Sequence, residues 1–164
     1  MIQNKLMTGL ASAALALAAS GAWAKDDITV ALQLEPPHLD PTSAAAGAID
    51  SVLYSNVFEG LTRFMGDGSV VPGLAESWEI SEDGLTYTFK LREGVTFHDG
   101  TPFNAEAVKF NFDRMLDENH PYHDTGPFPL AFFFSAVETT EVVDDMTVKF
   151  TLNAPYAPFL SNLA

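Results

Sequence analysis

The chain has 164 residues and carries 22 Asp and Glu against 8 Lys and Arg, which gives a formal net charge of −14. Its 47% hydrophobic and 12% aromatic residues are enough to build a packed core, so the composition indicates a folded chain rather than a disordered one. Eight scattered basic residues cannot form the cationic surface that a nucleic acid requires. The absence of cysteine excludes disulfides, thiol catalysis, cysteine metal sites and a lipoprotein anchor.

The first 24 residues have the pattern of a secretory signal peptide. Lys5 lies near the amino end, an apolar run covers residues 10–19, and Ala22-Trp23-Ala24 forms an A-x-A cleavage site. A buried alanine-rich helix or a membrane anchor is the alternative, but the run is shorter than the roughly 20 apolar residues that span a bilayer. The sequence therefore predicts cleavage after Ala24 and export, and a Gram-negative periplasm is the simplest destination.

The next segment predicts a strand, a stiff loop and a helix. Residues 28–34 form a mostly apolar run of strand length, and the prolines of LEPPHLDPTS exclude regular structure directly after it. Apolar residues then recur at helical spacing at Ile49, Val52, Leu53 and Val57. Gly60 stands where a helix C-cap would, so we expect an amphipathic helix over about residues 46–59.

The following residues predict two β-hairpins with a helix between them. In the first hairpin the turn is Glu82-Asp83-Gly84, and apolar residues alternate with polar ones. Its alternating apolar residues are Trp78, Ile80, Leu85, Tyr87, Phe89 and Leu91. In the second, residues 138–143 and 146–152 turn at Asp144-Asp145. Trp78 and Phe89 are predicted core residues.

The helix between the hairpins has clear boundary signals. Asn104 is a good N-cap, and Glu106 in the first turn complements the helix dipole. Its apolar stripe consists of Val108, Phe112, Met115 and Leu116. We therefore expect a helix that ends near Asp117.

Three further segments are less regular. Residues 119–126 are a polar loop that contains Pro121, and the aromatic segment 127–137 is either a short helix over the hairpin sheet or a surface that faces a partner lobe. An apolar helix begins at residues 158–164 without a natural stop, which predicts that the chain is a truncated part of a larger protein.

Local chemistry identifies no active centre. The acids around the first hairpin are predicted to be solvated, His98-Asp99 fits turn chemistry as well as a base with its orienting group, and no G-x-S-x-G elbow is present. His120 and His123 could approach a metal, but Pro121 prevents the regular helical spacing of such a pair. The Gly66-Asp67-Gly68 segment lacks the third glycine of a dinucleotide fingerprint and predicts a β-turn. The residues therefore favour a binding protein over a hydrolase.

A longer pattern resembles a known family. From Phe58-Glu59-Gly60-Leu61 onward, and densely over residues 70–114, the sequence is similar to the bacterial extracellular solute-binding proteins of family 5, the peptide and nickel receptors of ABC importers. That stretch includes Leu74-Ala75-Glu76-Ser77-Trp78 and Phe97-His98-Asp99-Gly100. Leu39-Asp40-Pro41 and Ala157-Pro158-Phe159-Leu160 extend the likeness to nearly the whole chain after residue 24.

The resemblance implies an α/β architecture, namely the N-terminal part of a two-lobed periplasmic-binding-protein fold of type II with an extra small domain. Residues 25–62 would begin the first lobe and residues 63–155 would form the small α+β domain. Residues 156–164 would return toward the first lobe before the truncation. Such a receptor closes on its solute by a hinge motion.

The resemblance also implies candidate ligand contacts. Asn119-His120-Pro121-Tyr122-His123 looks most like the dipeptide-binding branch, in which a Tyr after a Pro lies near the ligand, so Tyr122 is a candidate contact. Packing on the lobe is the alternative role for its ring. Glu35 and His38 lie in the loop after the first predicted strand, where this fold places its cleft, although the prolines there could serve only to shape the crossing.

The function that follows is a monomeric, non-enzymatic periplasmic receptor that captures peptides, dipeptides foremost, and delivers them to an ABC permease in the inner membrane. No cofactor, metal or catalytic residue is predicted. Receptors for opines, glutathione, oligosaccharides or a nickel chelate are alternatives within the family, although the first helix offers no Met or His for nickel at Ser51, Val52 and Leu53. A secreted hydrolase, or a receptor used in chemotaxis or as a chaperone, is the alternative from another class.

Overall fold

The computed structural model of the chain describes residues 28–44, 46–54 and 56–164, so the predicted signal peptide and its cleavage after Ala24 lie outside the described residues. The chain divides into two compact units, Met1–Gln33 and Leu34–Ala164. In the first unit the described residues 28–33 are exposed and irregular. Among the described residues, no helix is both long enough and apolar enough to span a bilayer.

A four-stranded antiparallel sheet is the centre of the second unit. Its strands are β3 (Ala75–Ile80), β4 (Thr86–Leu91), β5 (Val137–Asp144) and β6 (Thr147–Leu152), in the order β3-β4-β6-β5. Both predicted hairpins are therefore confirmed, and β4 and β6 pair centrally. Strands β3 and β5 lie at the edges, and each has an irregular register with its neighbour.

One face of the sheet is covered by helix α2 (Ala105–Leu116). The rings of Phe89, Phe112 and Phe150 meet in the core, with centroids 5.7 Å apart for Phe89 and Phe150 and 4.7 Å for Phe112 and Phe150. As predicted, the Asn104 side chain caps the helix by accepting a hydrogen bond of 3.0 Å from the Ala107 amide, and the helix ends before Asp117. Phe89 is fully buried as predicted, whereas Trp78 is only partly buried at the edge of the core.

A smaller two-stranded sheet precedes the large one. It consists of β1 (Thr62–Phe64) and β2 (Val70–Pro72). The turn between them is the β-turn predicted at Gly66-Asp67-Gly68, in which the Gly68 amide donates to the Met65 carbonyl. The short helix α3 (Phe159–Asn162) packs beside β1, and the buried Thr62 hydroxyl donates to the Leu160 carbonyl at 2.7 Å.

Two sequence predictions need correction. Residues 28–34 do not form a strand, because none of the described strands pairs with them and an isolated strand cannot satisfy its backbone hydrogen bonds. The helix predicted over residues 46–59 is shorter and covers only α1 (Gly47–Val52). Ile49 and Leu53 are buried, but Val57 is exposed, so its side chain does not anchor a further helical turn. In the segment 127–137, residues Ala131–Phe134 form a 3₁₀ helix, and a short helix was one of the two alternatives for this segment.

Candidate functional site

The first site segment is the proline-rich loop of residues 35–42. The two candidate contacts on it, Glu35 and His38, are both exposed. Asp40 closes the loop, because its Oδ1 accepts hydrogen bonds from the Thr42 amide at 2.8 Å and from the Thr42 hydroxyl at 2.6 Å. An aspartate that accepts from the residue two positions later fixes a tight turn without regular structure.

Asp40 is held in its ionised form. Partial burial by itself would raise the pKa of this carboxyl, but hydrogen bonds from Thr42 and from Arg114 outweigh that effect and lower the pKa from its ordinary 3.8 to about 2. At neutral pH the loop therefore presents a fixed negative charge to the guanidinium of Arg114.

Arg114 reaches this loop from the last turn of α2. Its Nη1 donates to Asp40 Oδ2 at 3.1 Å, and its Nη2 donates to the Thr42 hydroxyl at 2.8 Å. The same Nη1 donates to the Thr125 hydroxyl at 3.3 Å. One guanidinium thus contacts two chain segments, because its planar group carries several fixed donors.

The second site segment, residues 120–126, carries Tyr122. The Thr125 hydroxyl donates to the Tyr122 carbonyl at 2.7 Å, and His123 Nδ1 lies 3.0 Å from the Arg114 carbonyl. Residues His123–Thr125 form a 3₁₀ helix within the segment, which was predicted to be a loop. These contacts fix the backbone of the segment against the end of α2.

The Tyr122 ring itself is 54% exposed, beside the rings of Phe110 at 5.6 Å and His120 at 5.9 Å between centroids. A tyrosine that is half exposed can stack its ring on a ligand and can offer its hydroxyl for a hydrogen bond. Among the contacts of the described residues, no hydrogen bond or ring pair joins Tyr122 to Glu35 or His38. The two segments that carry these residues are connected instead through Asp40 and Arg114.

An open, mainly apolar cavity of about 690 Å³ lies next to this network. It extends from Asp40 and Arg114 at one end along α2 to the loop of residues 95–98, and Phe97 and Phe110 contribute aromatic walls. Asp40, Thr42 and Arg114 of this network line the cavity, whereas Glu35, His38 and Tyr122 do not.

The structure shows how the remaining polar candidates are engaged. The Asp99 side chain accepts from the Thr101 amide and hydroxyl in the turn that follows His98, which is the turn chemistry considered for this motif. His120 Nδ1 accepts from the Tyr122 amide at 3.3 Å. Among the described residues no group of three or more His, Cys, Asp or Glu side chains is arranged to hold a metal ion.

Sequence reasoning missed the Asp40–Arg114 contact. The two residues are 74 positions apart, and no periodicity links a turn aspartate to the end of a helix. The available signal was the scarcity of positive charge. Because the chain has only 8 Lys and Arg, few cations can pair with a turn carboxylate, and the arginine at the end of the amphipathic helix is one of them.

Residues 69–164 match the family model of the bacterial extracellular solute-binding proteins, family 5, middle region. That match covers more than half of the chain. The chain belongs to this family.

Individual relatives agree with the family match. Di/tripeptide-binding protein 1 of Pseudomonas aeruginosa is 39% identical over all of the chain and 33% of its own length, so the chain spans about a third of that relative. The glutathione-binding protein GsiB of Pectobacterium atrosepticum is 41% identical over 91% of the chain and 28% of its own length.

Solved structures of periplasmic binding proteins show the same fold. The ABC transporter-associated periplasmic binding protein DppA from Helicobacter pylori, solved with the peptide STSA, superposes with a TM-score of 0.66 at 36% identity. The superposition covers 76% of the chain and 27% of that protein. The predicted architecture, part of a periplasmic-binding-protein fold, is therefore confirmed.

Proposed function

We propose that the chain is part of a periplasmic receptor that captures small peptides, dipeptides foremost, and delivers them to an ABC permease in the inner membrane. The observation that carries this is the match to a peptide-bound receptor of the same fold at 36% identity. The di/tripeptide-binding relative at 39% identity gives independent support for the same solute class. The predicted signal peptide at residues 1–24 provides the route to the periplasm.

In this proposal the two site segments contribute one side of the solute site. Tyr122 offers a ring face and a hydroxyl, Glu35 a carboxylate for amide or ammonium donors, and His38 a ring nitrogen that can donate or accept. A zwitterionic peptide presents all of these complementary groups. No bond of the solute is broken, so the chain needs neither a nucleophile nor a cofactor.

The domain division predicted from the resemblance is part of the same proposal. Residues 25–62 begin the first lobe, residues 63–155 form the small domain, and residues 156–164 return toward the first lobe. Glu35 and His38 then belong to a lobe, whereas Tyr122 belongs to the small domain. The solute would be enclosed when a second lobe closes over both.

Glutathione is the second candidate, because a glutathione-binding relative is 41% identical to the chain. It shares amide and carboxylate groups with a tripeptide but carries a net negative charge at neutral pH. The exposed charge among the candidate contacts is the carboxylate of Glu35, and the chain as a whole carries −14. Charge complementarity therefore favours a zwitterionic dipeptide over glutathione.

A solute screen on the full-length protein tests the proposal. Dipeptides, tripeptides, glutathione, an opine, an oligosaccharide and a nickel chelate are each added, and the melting temperature and calorimetric binding are measured. We expect dipeptides to bind and to raise the melting temperature, since a ligand of the folded state alone stabilises it by mass action. A shift with another solute and none with peptides would refute the peptide assignment, and peptide cleavage seen by mass spectrometry would refute the non-enzymatic one.

A further inference from the structure

The Arg114 guanidinium sits on an aromatic support as well as between the two site segments. Its central carbon lies 5.0 Å from the centroid of the Phe128 ring, close enough for a cation–π contact. The Arg114 side chain is 13% exposed, so the charge is largely removed from water. A cation in this position is stabilised by its partners and not by solvent, which makes the contact sensitive to the loss of any one of them.

The backbone of Phe128 is strained. This residue has a positive φ of 41°, and it is the only non-glycine residue with positive φ in the part of the chain that the structure describes. Its ring is 4% exposed and also lies 5.6 Å from the ring of His123. Such strain persists only where the surroundings enforce it, and it concentrates at functional sites.

A close backbone approach joins the same two segments a second time. A Cβ atom at Gly126 would lie 2.5 Å from Ser43 Oγ and 3.3 Å from Ser43 Cα. A side chain at residue 126 would therefore require Ser43 to shift, and glycine lets the end of the 120–126 segment lie against the residue that follows the 35–42 loop. The contact through Arg114 and the contact through Gly126 together define a fixed distance between the segments.

We propose that Arg114 is a positioning residue for solute binding. It fixes the 35–42 loop against the 120–126 segment, so that Tyr122 is presented at a set distance from Glu35 and His38. This role rests on the proposed function, because it assigns those three residues to the solute site. Lysine could not replace Arg114, since a single ammonium cannot donate to Asp40, Thr42 and Thr125 in one plane while its charge stacks on Phe128.

Hydrogen exchange in the full-length protein tests the connection without any ligand. Arg114→Gln removes the guanidinium, Arg114→Lys keeps only its charge, and Asp40→Asn breaks the same contact from the other segment. Lys109→Gln is the matched control, because it removes an exposed ion pair with Asp113 on the same helix. We expect each of the first three variants to raise amide exchange about tenfold in residues 121–126, with the β4 and β6 amides unchanged.

The effect of Asp40→Asn on residues 121–126 is the decisive readout, since a purely local role for Asp40 would loosen only its own loop. Asp83→Asn is the control for that comparison, because Asp83 makes the same kind of turn contacts with Ser81 and Leu85 in the first hairpin. Unchanged exchange in residues 121–126 in Arg114→Gln and Asp40→Asn would overturn the proposal.

Binding of a dipeptide from the solute screen completes the test. We expect Arg114→Gln and Arg114→Lys to raise the Kd about tenfold, and Lys109→Gln to leave it unchanged. Looser segments with an unchanged Kd would overturn the positioning role. If the unmodified protein binds none of the solutes, the proposed function fails and the role in binding fails with it, whereas the exchange comparison still decides whether Arg114 connects the segments.

Discussion

The sheet and the two site segments are held in place by different forces. The sheet is stabilised by buried rings, with Phe89 and Phe150 fully enclosed between strands and α2. The site segments are held by one largely buried guanidinium, a partly buried carboxylate and a few hydroxyls. Burial of apolar surface makes the larger contribution to the free energy of folding, whereas a few charged hydrogen bonds fix the position of a segment. Changes in the sheet should therefore alter stability, and changes in the segments should alter recognition.

The largest effect is expected from Phe89→Ala. It removes a fully buried ring and leaves a cavity among Trp78, Phe150 and the helix, which should lower the free energy of unfolding by about 3–5 kcal/mol. Urea unfolding measures it. Leu32→Ala, at an exposed apolar residue, is the control and should change stability by less than about 0.5 kcal/mol. Equal losses in the two variants would contradict the location of the core.

Gly73→Ala should have the second largest effect. A Cβ atom there would lie 2.6 Å from the Gly60 carbonyl oxygen and 3.0 Å from that of Leu61, and backbone atoms cannot move aside cheaply. We expect a loss of about 2–3 kcal/mol in unfolding free energy by the same measurement. Gly66→Ala, where a Cβ would meet nothing within 4 Å, should be tolerated. A neutral Gly73→Ala would show that β2 and the Leu61 segment are less closely packed.

Unlike Phe89→Ala and Gly73→Ala, Tyr122→Ala should weaken solute binding and leave stability nearly unchanged. Loss of the ring and hydroxyl should raise the dipeptide Kd about tenfold in the full-length protein, with a melting temperature close to that of the unmodified protein. Phe132→Ala, at another exposed ring, is the control for binding. If binding were unaffected while stability fell, Tyr122 would be a packing residue and not a solute contact.

Asn104→Ala should remove the N-cap of α2. The Ala107 amide then loses its acceptor, which should lower the unfolding free energy by about 1 kcal/mol. Asn111→Ala is the matched control, since that side chain donates to a carbonyl on the exposed side of the same helix. A smaller loss in Asn104→Ala than in Asn111→Ala would argue against the capping role.

The smallest effect is expected from Asp40→Asn, and it should depend on pH. The folded-state pKa of about 2 lies below the ordinary 3.8, so ionised Asp40 stabilises the fold above about pH 4. Because the side chain is partly exposed, we discount its contribution for screening to about 1 kcal/mol or less. The difference in melting temperature between the two proteins should shrink as the pH falls from about 4 to about 2. A difference that is independent of pH over this interval would contradict the charge-based explanation.

The sequence predicted those parts of the molecule whose signals are local. Alternation in the hairpins and the Asn104 cap each reveal an element within a few residues. Residues 28–34 carry an equally apolar pattern, yet Ile28 is 87% exposed, because forming a strand also requires a partner strand. In the site, the role of Tyr122 in ligand contact stays a prediction from the resemblance, whereas the Asp40–Arg114 contact depends on tertiary structure and has no local signal.

The edge strands of the large sheet bear on self-association. Two copies that met edge to edge would align the exposed carboxylates of Glu76 and Glu79 through β3, or that of Glu138 through β5. The irregular registers of both edges would also interrupt any continuous ladder between copies. These exposed acidic residues therefore oppose strand addition between molecules, and concentrated protein should resist aggregation through these edges.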